Sequence, residues 1–256
     1  MTVTESTTPR EQEATASPPV PLRVRYRIRF AKTDLLRWIS HRDLARLWER
    51  VVRRAALNLS MSEGFHPKPR IGFPSALALG VIGLDEVVEL ELAEELTPQQ
   101  LLRRLQQDEQ PGLIINSVQQ LPDACGKAQL KHSDYVITIV AGADLDRIRQ
   151  AIETLLGQDS VSFTRKDKTH CVDVAMQILS LQIGDGELHL QLAASDSASL
   201  RPTDVLHLLG LDDWVEQGAT IIRKGVSLHS EFDSEDPRFT AVADPVIPDE
   251  SVLPPH

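Results

Sequence analysis

A basic segment near the start of the chain holds the residues best suited to chemistry. The segment from Leu22 to Arg70 contains thirteen Lys or Arg residues and four acids, a net charge of about +9. The whole chain of 256 residues carries a net charge of −10. Eleven of these cations are Arg, whose planar guanidinium suits bidentate contact with phosphate or carboxylate. This division of charge predicts an anionic partner that docks on the N-terminal part of the chain.

Four arginines begin this segment and alternate with apolar residues. The alternating run is Arg23, Val24, Arg25, Tyr26, Arg27, Ile28, Arg29 and Phe30. A period of two predicts a strand with an apolar face against the core and an arginine face opposite. If helices cover the apolar face, Arg25, Arg27 and Arg29 lie on an open face and contact nucleic-acid phosphates. The alternatives are structural pairing of these arginines with Glu89 and Glu91 of a neighbouring strand, or docking of an acidic protein or of the chain's own acidic tail on this face.

A helix rich in arginine follows the strand. Ser40 is a good N-cap, with Asp43 at the third helical position. Apolar residues recur at helical spacing along one side of this segment, namely Leu44, Leu47, Trp48, Val51 and Ala55. Arg46 and Arg50 fall on the rest of the circumference, where we expect them either to contact phosphates or to form an ordinary solvated face.

A stiff loop comes next, with the sequence Gly64-Phe65-His66-Pro67-Lys68-Pro69-Arg70. Its two prolines exclude a helix and favour extended backbone. Lys68 and Arg70 are predicted anion contacts at the mouth of the binding surface. His66 beside them is a candidate general acid or base, although a loop histidine next to a proline often serves only as a structural hydrogen-bonding group.

His41 is a second catalytic candidate, since it lies between Ser40 and Asp43. Neighbours on one helical turn do not converge on a substrate as a catalytic triad does, and helix capping accounts for both Ser40 and Asp43. The other histidines lack the spacing of metal ligands, and no glycine-rich loop opens a helix under a phosphate. The sequence therefore predicts neither a metal site nor a cofactor.

Both ends of the chain have the composition of disordered tails. Residues 1–21 show no apolar periodicity, and residues 230–256 are acidic and rich in proline. The chain has no apolar run long enough to span a membrane and no secretory pattern at its start. Cys125 and Cys171 are far apart and form no CxxC pair. We expect a cytoplasmic protein with no membrane contact.

Between the tails, the pattern strand-helix-strand-strand-helix-strand occurs twice. The first unit spans residues 22–121, and the second spans residues 134–229 after a linker at 122–133. Ile71–Leu79 and Val172–Gln182 are among the predicted strands, and the second unit includes one extra hairpin strand. Thr97 is the predicted N-cap of the second helix, with Pro98 at its first position. We expect an α+β protein built from two tandem ferredoxin-like halves.

Three short motifs in the basic segment resemble a known family. They are Leu36-Arg37-Trp38-Ile39-Ser40-His41-Arg42-Asp43-Leu44, the triplet Arg53-Arg54-Ala55, and the run from Ser62 to Pro69. Together they resemble the radical SAM-linked proteins, an uncharacterised family encoded beside, or fused to, a radical SAM enzyme. The matching motif residues are Ser40, His41, Asp43, Arg53, Gly64, Phe65, Pro67 and Pro69. The resemblance implies a radical SAM enzyme as partner.

The chain is not itself the radical enzyme, because the SAM-binding cluster needs three closely spaced cysteines and only two distant ones exist. We therefore expect an accessory protein that binds an RNA, such as tRNA, on its arginine face and presents it to the separate enzyme. Two alternatives stay open. The arginine face could dock an acidic surface of that enzyme without RNA, or His41 or His66 could serve a metal-free RNA-processing enzyme.

Overall fold

The computed structural model describes residues 22–107, 109–195, 199–231 and 235–242. The tail predicted at 1–21 and the larger part of the tail predicted at 230–256 lie outside these ranges. Within the described ranges, no helix has both the length and the apolar character needed to cross a membrane.

Two groups of elements follow one another along the chain. The first group is β1 (Val24–Lys32), the short 3-10 helix η1 (Asp34–Trp38), α1 (His41–Arg54), β2 (Ile71–Gly72), β3 (Ile82–Leu92), α2 (Pro98–Gln106) and β4 (Leu113–Gln120). The second group is β5 (Leu130–Thr138), α3 (Leu145–Leu156), β6 (Ser160–Arg165), β7 (Lys168–Asp173), α4 (Val174–Gln177), β8 (Ile178–Gly184), β9 (Glu187–Ala193), α5 (Pro202–Leu208) and β10 (Ile221–Leu228). A last short strand, β11 (Phe239–Ala241), follows them.

Strands of both groups form one large, mostly antiparallel sheet. Its order is β11-β4-β1-β3-β10-β5-β9-β8, with β2 also paired to β3. β3 and β10 pair in parallel, Ile82 with Ile222 and Gly83 with Arg223, and so join the two groups. β6 and β7 form a separate hairpin. The α+β class predicted from the sequence is confirmed, and the two groups share a continuous sheet.

Both helices of the first group begin where the sequence predicts. Ser40 is the N-cap of α1, and its Oγ accepts a hydrogen bond from the backbone N–H of Asp43 at 3.2 Å. Thr97 is the N-cap of α2, and the side chain of Gln100 accepts from the backbone N–H of Thr97 at 2.8 Å. These bonds satisfy N–H groups that have no partner inside the helix. Local sequence therefore fixes where α1 begins and which residues it exposes.

Helices α1 and α2 cover one face of the sheet. Trp48 of α1 and Leu101 of α2 pack into the same core as Tyr26, Ile28 and Phe30 of β1. All five side chains are fully buried, and each such burial contributes about 1.5–3 kcal/mol relative to exposure. Because successive strand residues point to opposite faces, the arginines of β1 lie on the face away from these helices.

A second core lies between the second group's helices and its strands. Ile148 and Ile152 of α3 and Val205 of α5 pack with Leu188 and Leu190 of β9. The apolar periodicity of α3 predicts this inward face. Each group of elements thus has its own core, and the shared sheet runs beneath both.

Two predicted strands differ from the observed ones. The strand predicted at Ile71–Leu79 pairs only over Ile71–Gly72, because Pro74 has no N–H to donate. The chain instead forms a loop whose Leu77 is buried in the second core. The strand predicted over Val172–Gln182 is interrupted by α4, whose N-cap Asp173 accepts a hydrogen bond from the backbone N–H of Met176.

The predicted linker and C-terminal tail are also more structured than expected. The linker at 122–133 is shorter, since β5 begins at Leu130. β11 falls within the predicted tail and pairs antiparallel with β4, Thr240 opposite Val118. The hydroxyl of Thr240 also donates to the side chain of Gln99 on α2 at 2.8 Å. Backbone pairing holds this strand, and acidic composition gave no sign of it.

Candidate nucleic-acid interface

The arginines of β1 lie beside acids of β3. The strand register places Arg27 opposite Glu89. Arg25 Nη2 lies 2.9 Å from Glu89 Oε2, and Arg27 Nη2 lies 2.9 Å from Glu89 Oε1. Arg29 forms an ion pair with Asp85. The structural alternative from the sequence, cross-strand pairing of these arginines, is therefore present in the fold.

Two backbone segments cover this arginine face. From the linker, the backbone carbonyl of Cys125 accepts a hydrogen bond from Arg25. After β10, the carbonyl of Ser230 accepts from Arg27 Nη1 at 2.6 Å. The chain then continues to β11, which pairs with β4 on the side away from β1. We call residues 229–231 and 235–242 the C-terminal strap.

Coverage changes what the arginine face can do. Arg27 is only 3% exposed, and Arg25 and Arg29 are half-buried. Glu231 of the C-terminal strap lies 2.9 Å from Arg29 Nη2. The expectation of an open arginine face is wrong, because the strap and the linker occupy it. Arg27 in particular has no path to an external phosphate in this arrangement.

Arginines on α1 have a different environment. Arg42, Arg46, Arg50 and Arg53 are all exposed on the solvent side of the helix. At about 100° per residue, they fall within an arc of about 80°. Arg46 lies 3.6 Å from Asp43, a weak exposed pair. The side chains of Arg42, Arg50 and Arg53 form no hydrogen bond or ion pair with any other residue that the structure describes.

The stiff loop forms a closed hairpin tip next to the end of β3. The backbone N–H of Ser62 donates to the carbonyl of Lys68 at 2.8 Å, and the N–H of Lys68 donates to Ser62 Oγ at 2.9 Å. Gly64 has a φ of 117°, a backbone region that favours glycine. Phe65 at the tip is completely exposed. We call residues 60–70 the Phe65 hairpin.

A small pocket lies at the base of the Phe65 hairpin. Its volume is about 280 Å³, and its lining includes Arg25, Arg70 and Lys127 together with Glu89 and Glu91. Arg70 Nε is 3.7 Å from Glu91. Two predicted anion contacts, Arg25 and Arg70, thus come together, and the linker adds Lys127. The two glutamates offset much of this positive charge.

The two candidate catalytic histidines do not form an acid–base site with their neighbours. The ring of His41 packs edge-on against Phe73, with centroids 5.2 Å apart, and its buried Nδ1 has no hydrogen-bond partner among the described residues. Ser40 Oγ lies 2.6 Å from a carboxylate oxygen of Asp43, as part of the helix cap. His66 is exposed on the hairpin. Across the described ranges, no three His, Cys, Asp or Glu side chains are grouped to hold a metal ion.

Sequence reasoning missed a buried charged cluster where the two groups of elements meet. Arg223 of β10 donates from Nε to Glu86 of β3 at 2.7 Å, and a second bond makes the pair bidentate. Lys32 of β1 donates from Nζ to the carbonyls of Ile39 at 3.2 Å and Arg37 at 3.4 Å. Lys32, Glu86 and Arg223 are at most 4% exposed. The cluster ties together three strands and the backbone that leads into α1.

Burial and neighbouring charge set the protonation of this cluster. Burial lowers the pKa of Lys32 from 10.5 to about 8, with Glu86 opposing this shift and Arg223 adding to it. Burial also disfavours the charge of Arg223, but the attraction and hydrogen bonds of Glu86 outweigh it and raise the pKa of Arg223. The available sequence signal was a charge at the end of an apolar run, as in Ile221-Ile222-Arg223.

Comparison with known proteins yields one family match. The model of a family described as "Uncharacterized protein conserved in bacteria (DUF2344)" matches residues 25–202. No curated protein matches the chain. The description of the family names no enzyme partner, so a radical SAM partner is implied by the motif resemblance alone.

Two solved structures resemble the chain weakly. One is a chain from a crystal structure of a Cbf5-Nop10-Gar1 complex, with 11% identity, a TM-score of 0.38, and coverage of 79% of this chain and 47% of that one. The other is from an H/ACA RNP bound to a substrate RNA containing 2'-deoxyuridine, with 12% identity, a TM-score of 0.37, and coverage of 77% and 46%. The present chain spans just under half the length of either, and likeness at this level carries no functional argument. Since the family match covers well over half of the chain, from β1 to the start of α5, the protein belongs to the uncharacterized bacterial family DUF2344.

Proposed function

We propose that this protein binds RNA through the exposed arginines of α1 and the Phe65 hairpin, as an accessory that presents the RNA to a separate enzyme. The observation that carries the proposal is the contrast between two sets of arginines. Those of β1 already pair with acids and backbone carbonyls, whereas Arg42, Arg50 and Arg53 of α1 are exposed and have no partner among the described residues.

The arc of arginines on α1 suits a phosphate backbone. Positions 42, 46, 50 and 53 form a row along the helix, about 17 Å from first to last at 1.5 Å per residue. Within α1, the acids beside this row are Asp43, which pairs weakly with Arg46, and Glu49. A row of exposed guanidinium groups can contact successive phosphates without reading sequence. This placement moves the predicted RNA contact from Arg25, Arg27 and Arg29 to the helix that carries Arg46 and Arg50.

The Phe65 hairpin supplies what the arginine row lacks. The Phe65 ring is fully exposed, and backbone hydrogen bonds close the hairpin that carries it. This ring offers a platform on which an unpaired base can stack. Lys68 is exposed on the same hairpin and is placed to contact a phosphate. We therefore propose single-stranded or looped RNA, rather than a regular duplex, as the substrate class.

The fold supports a further proposal about architecture. In the first group the strands lie in the order β4-β1-β3-β2, and in the second the order is β10-β5-β9-β8, each antiparallel throughout. This is the strand order expected of a ferredoxin-like unit. We propose two such halves fused edge to edge, with β6, β7 and α4 inserted into the second.

A radical SAM enzyme is the partner that we propose for presentation of the RNA. This part of the proposal rests on the motif residues, among them Ser40, His41 and Phe65, which resemble the radical SAM-linked proteins. A complex of the two purified proteins, and transfer of RNA between them, would test it.

The RNA proposal is tested by measuring binding of a single-stranded RNA over a series of salt concentrations. Each lost phosphate contact lowers the slope of log affinity against log salt by about 0.7. The double variant Arg42→Gln/Arg50→Gln should therefore reduce the slope by about 1.4 and weaken binding at low salt. Phe65→Ala should weaken binding by about 1–3 kcal/mol with little change of slope.

A matched control carries the same change of charge elsewhere. Arg103→Gln/Arg147→Gln removes two exposed arginines from α2 and α3 and should leave the slope almost unchanged. Binding that is insensitive to salt, or an equal loss in both double variants, would contradict the proposal. Purified protein that binds no RNA at low salt would also contradict the proposal.

A second candidate function, docking of a protein partner, is favoured by one specific observation. Leu35 is 82% exposed, Trp38 49% and Leu79 63%. Leu35 and Trp38 are three apart on η1 and so share a face, and Gly80, next to Leu79, lies against the Trp38 ring. An exposed apolar group with a tryptophan is typical of interface centres. Loss of partner binding on Trp38→Ala, with RNA affinity retained, would support this function.

A further inference from the structure

The two edges of the shared sheet are protected very differently. One edge is β11, a strand of only three residues. The other is β8, a strand of seven residues that pairs with β9 and with no other strand among the described residues. A long edge strand leaves a row of backbone N–H and C=O groups available for pairing.

The sequence of β8 lacks the usual safeguards of an edge strand. No charged residue and no proline occurs from Val174 to Gly184. Natural edge strands commonly carry Lys, Pro or an inward charge to prevent pairing with another chain. The one safeguard present is an irregularity between Ile178 and Ser180, which leaves five residues of regular strand.

Exposed apolar side chains accompany this edge. Leu179 is 47% exposed and Met176, just before β8, is 70% exposed. On the side of β8 that faces the core, Leu181 is buried and Ile183 is partly buried. An apolar strip therefore continues to the rim of the sheet, where nothing described covers it.

We propose that β8 is a homodimer interface, in which it pairs antiparallel with β8 of a second copy of this chain. A two-fold interface places the same surface on both sides, so the surface must be complementary to itself. An uncharged strand meets that condition, and it does so in a chain whose net charge of −10 opposes self-association elsewhere. This inference is independent of RNA binding.

One register matches the side chains best. With Leu181 on the two-fold axis, Leu179 lies opposite Ile183 of the partner subunit, and Ser180 lies opposite Gln182 of the partner subunit. In the regular part of the strand, the two Leu181 side chains then meet on the core side, and Ser180 and Gln182 pair on the other side, as cross-strand pairing favours. In this register, the partner subunit covers the part of the Leu179 side chain that is exposed in the single chain.

The mass of the full chain in solution tests the proposal. Sedimentation or light scattering over a wide range of concentration should give twice the chain mass of 28.4 kDa. Ser180→Lys/Gln182→Lys places like charges opposite each other in the proposed register and should raise the dimer dissociation constant about tenfold or more. Both side chains are exposed in the single chain, so folding should be preserved.

Two further variants decide the result. Leu179→Lys should also weaken the dimer, since it removes the apolar contact with Ile183 of the partner subunit. Gln106→Lys/Gln107→Lys adds the same two charges at exposed positions at the end of α2 and should leave the dimer intact. A mass of 28.4 kDa at every concentration overturns the proposal. So does a dimer that survives both β8 variants.

Discussion

Glu86 holds two buried cations at the centre of the molecule. It forms a bidentate pair with Arg223 and attracts Lys32, and all three side chains are excluded from solvent. Gly83 makes room for it, because a Cβ at that position would lie 2.6 Å from Glu86 Cγ. One carboxylate serves two cations. The charge with the least support is that of Lys32, which forms no ion pair with any residue that the structure describes.

The pH dependence of stability should reveal Lys32. Its pKa is about 8 in the fold and near 10.5 when exposed, so between these values the unfolded chain binds more protons than the folded one. Stability must therefore rise as pH increases from about 8 towards 10.5, by at most about 3 kcal/mol. Urea unfolding across this range measures the rise.

Lys32→Met isolates this contribution from other groups that titrate in the same range. The methionine has similar length and no charge, so the rise in stability with pH should be much smaller than in the natural chain. An equal rise in both proteins would show that Lys32 is not the group responsible, whatever the absolute stability of the variant.

Among the elements, α1 combines a motif that resembles the radical SAM-linked proteins with the proposed RNA contacts. Its N-cap Ser40 belongs to that motif, but its contacts in the fold are those of a helix cap. Ser40→Ala should lower the free energy of unfolding by about 1 kcal/mol, because an N–H at the start of α1 loses its acceptor. Chemical denaturation measures this loss.

RNA affinity gives the corresponding functional readout for Ser40. If Ser40 only caps α1, Ser40→Ala keeps the affinity and salt slope of the natural chain under conditions where both are folded, and Ser40→Asp restores stability. A large loss of RNA binding without a loss of stability would assign Ser40 a direct role instead.

Elements governed by local patterns could be predicted from the sequence. The alternation of β1, the caps Ser40 and Thr97, and the apolar stripe of α1 all lie within a few residues of the features that they determine. Pro74 gave a local sign that β2 is short, but the burial of Leu77 in the second core could not be predicted, because that core is built from residues far along the chain. The same limit applies to α4, which breaks a run that looks like one strand.

At the scale of the whole molecule, long-range contacts decide the state of the arginine face. The alternation of β1 correctly gives a face of arginines, and Glu89 is among the partners that the sequence predicts for them. The acidic composition of the C-terminal tail leaves open that it docks on this face, but no local pattern indicates that Ser230 and Glu231, about two hundred residues away, are the residues that lie over Arg27 and Arg29. The junction of Lys32, Glu86 and Arg223 is hidden for the same reason.

The C-terminal strap should contribute measurably to stability. Deletion of residues 231–256 removes the Glu231–Arg29 pair, the pairing of β11 with β4, and the packing of Val242 against the first core. We expect a loss of about 1–3 kcal/mol in the free energy of unfolding, measured with urea.

A shorter deletion is the control for the strap. Removal of residues 243–256 takes away none of the described contacts and should change stability by no more than about 0.5 kcal/mol. Equal effects of the two deletions would contradict a stabilising role for Glu231 and β11.

The parallel pairing of β3 with β10 has a consequence for how the chain is made. Glu86 and Arg223 are 137 residues apart, so a ribosome must add that many residues after Glu86 before the buried carboxylate meets its guanidinium. Until then, part of β3 is an open edge that carries a charge destined for the interior. The nascent N-terminal half therefore needs either rapid completion of synthesis or a chaperone over that edge.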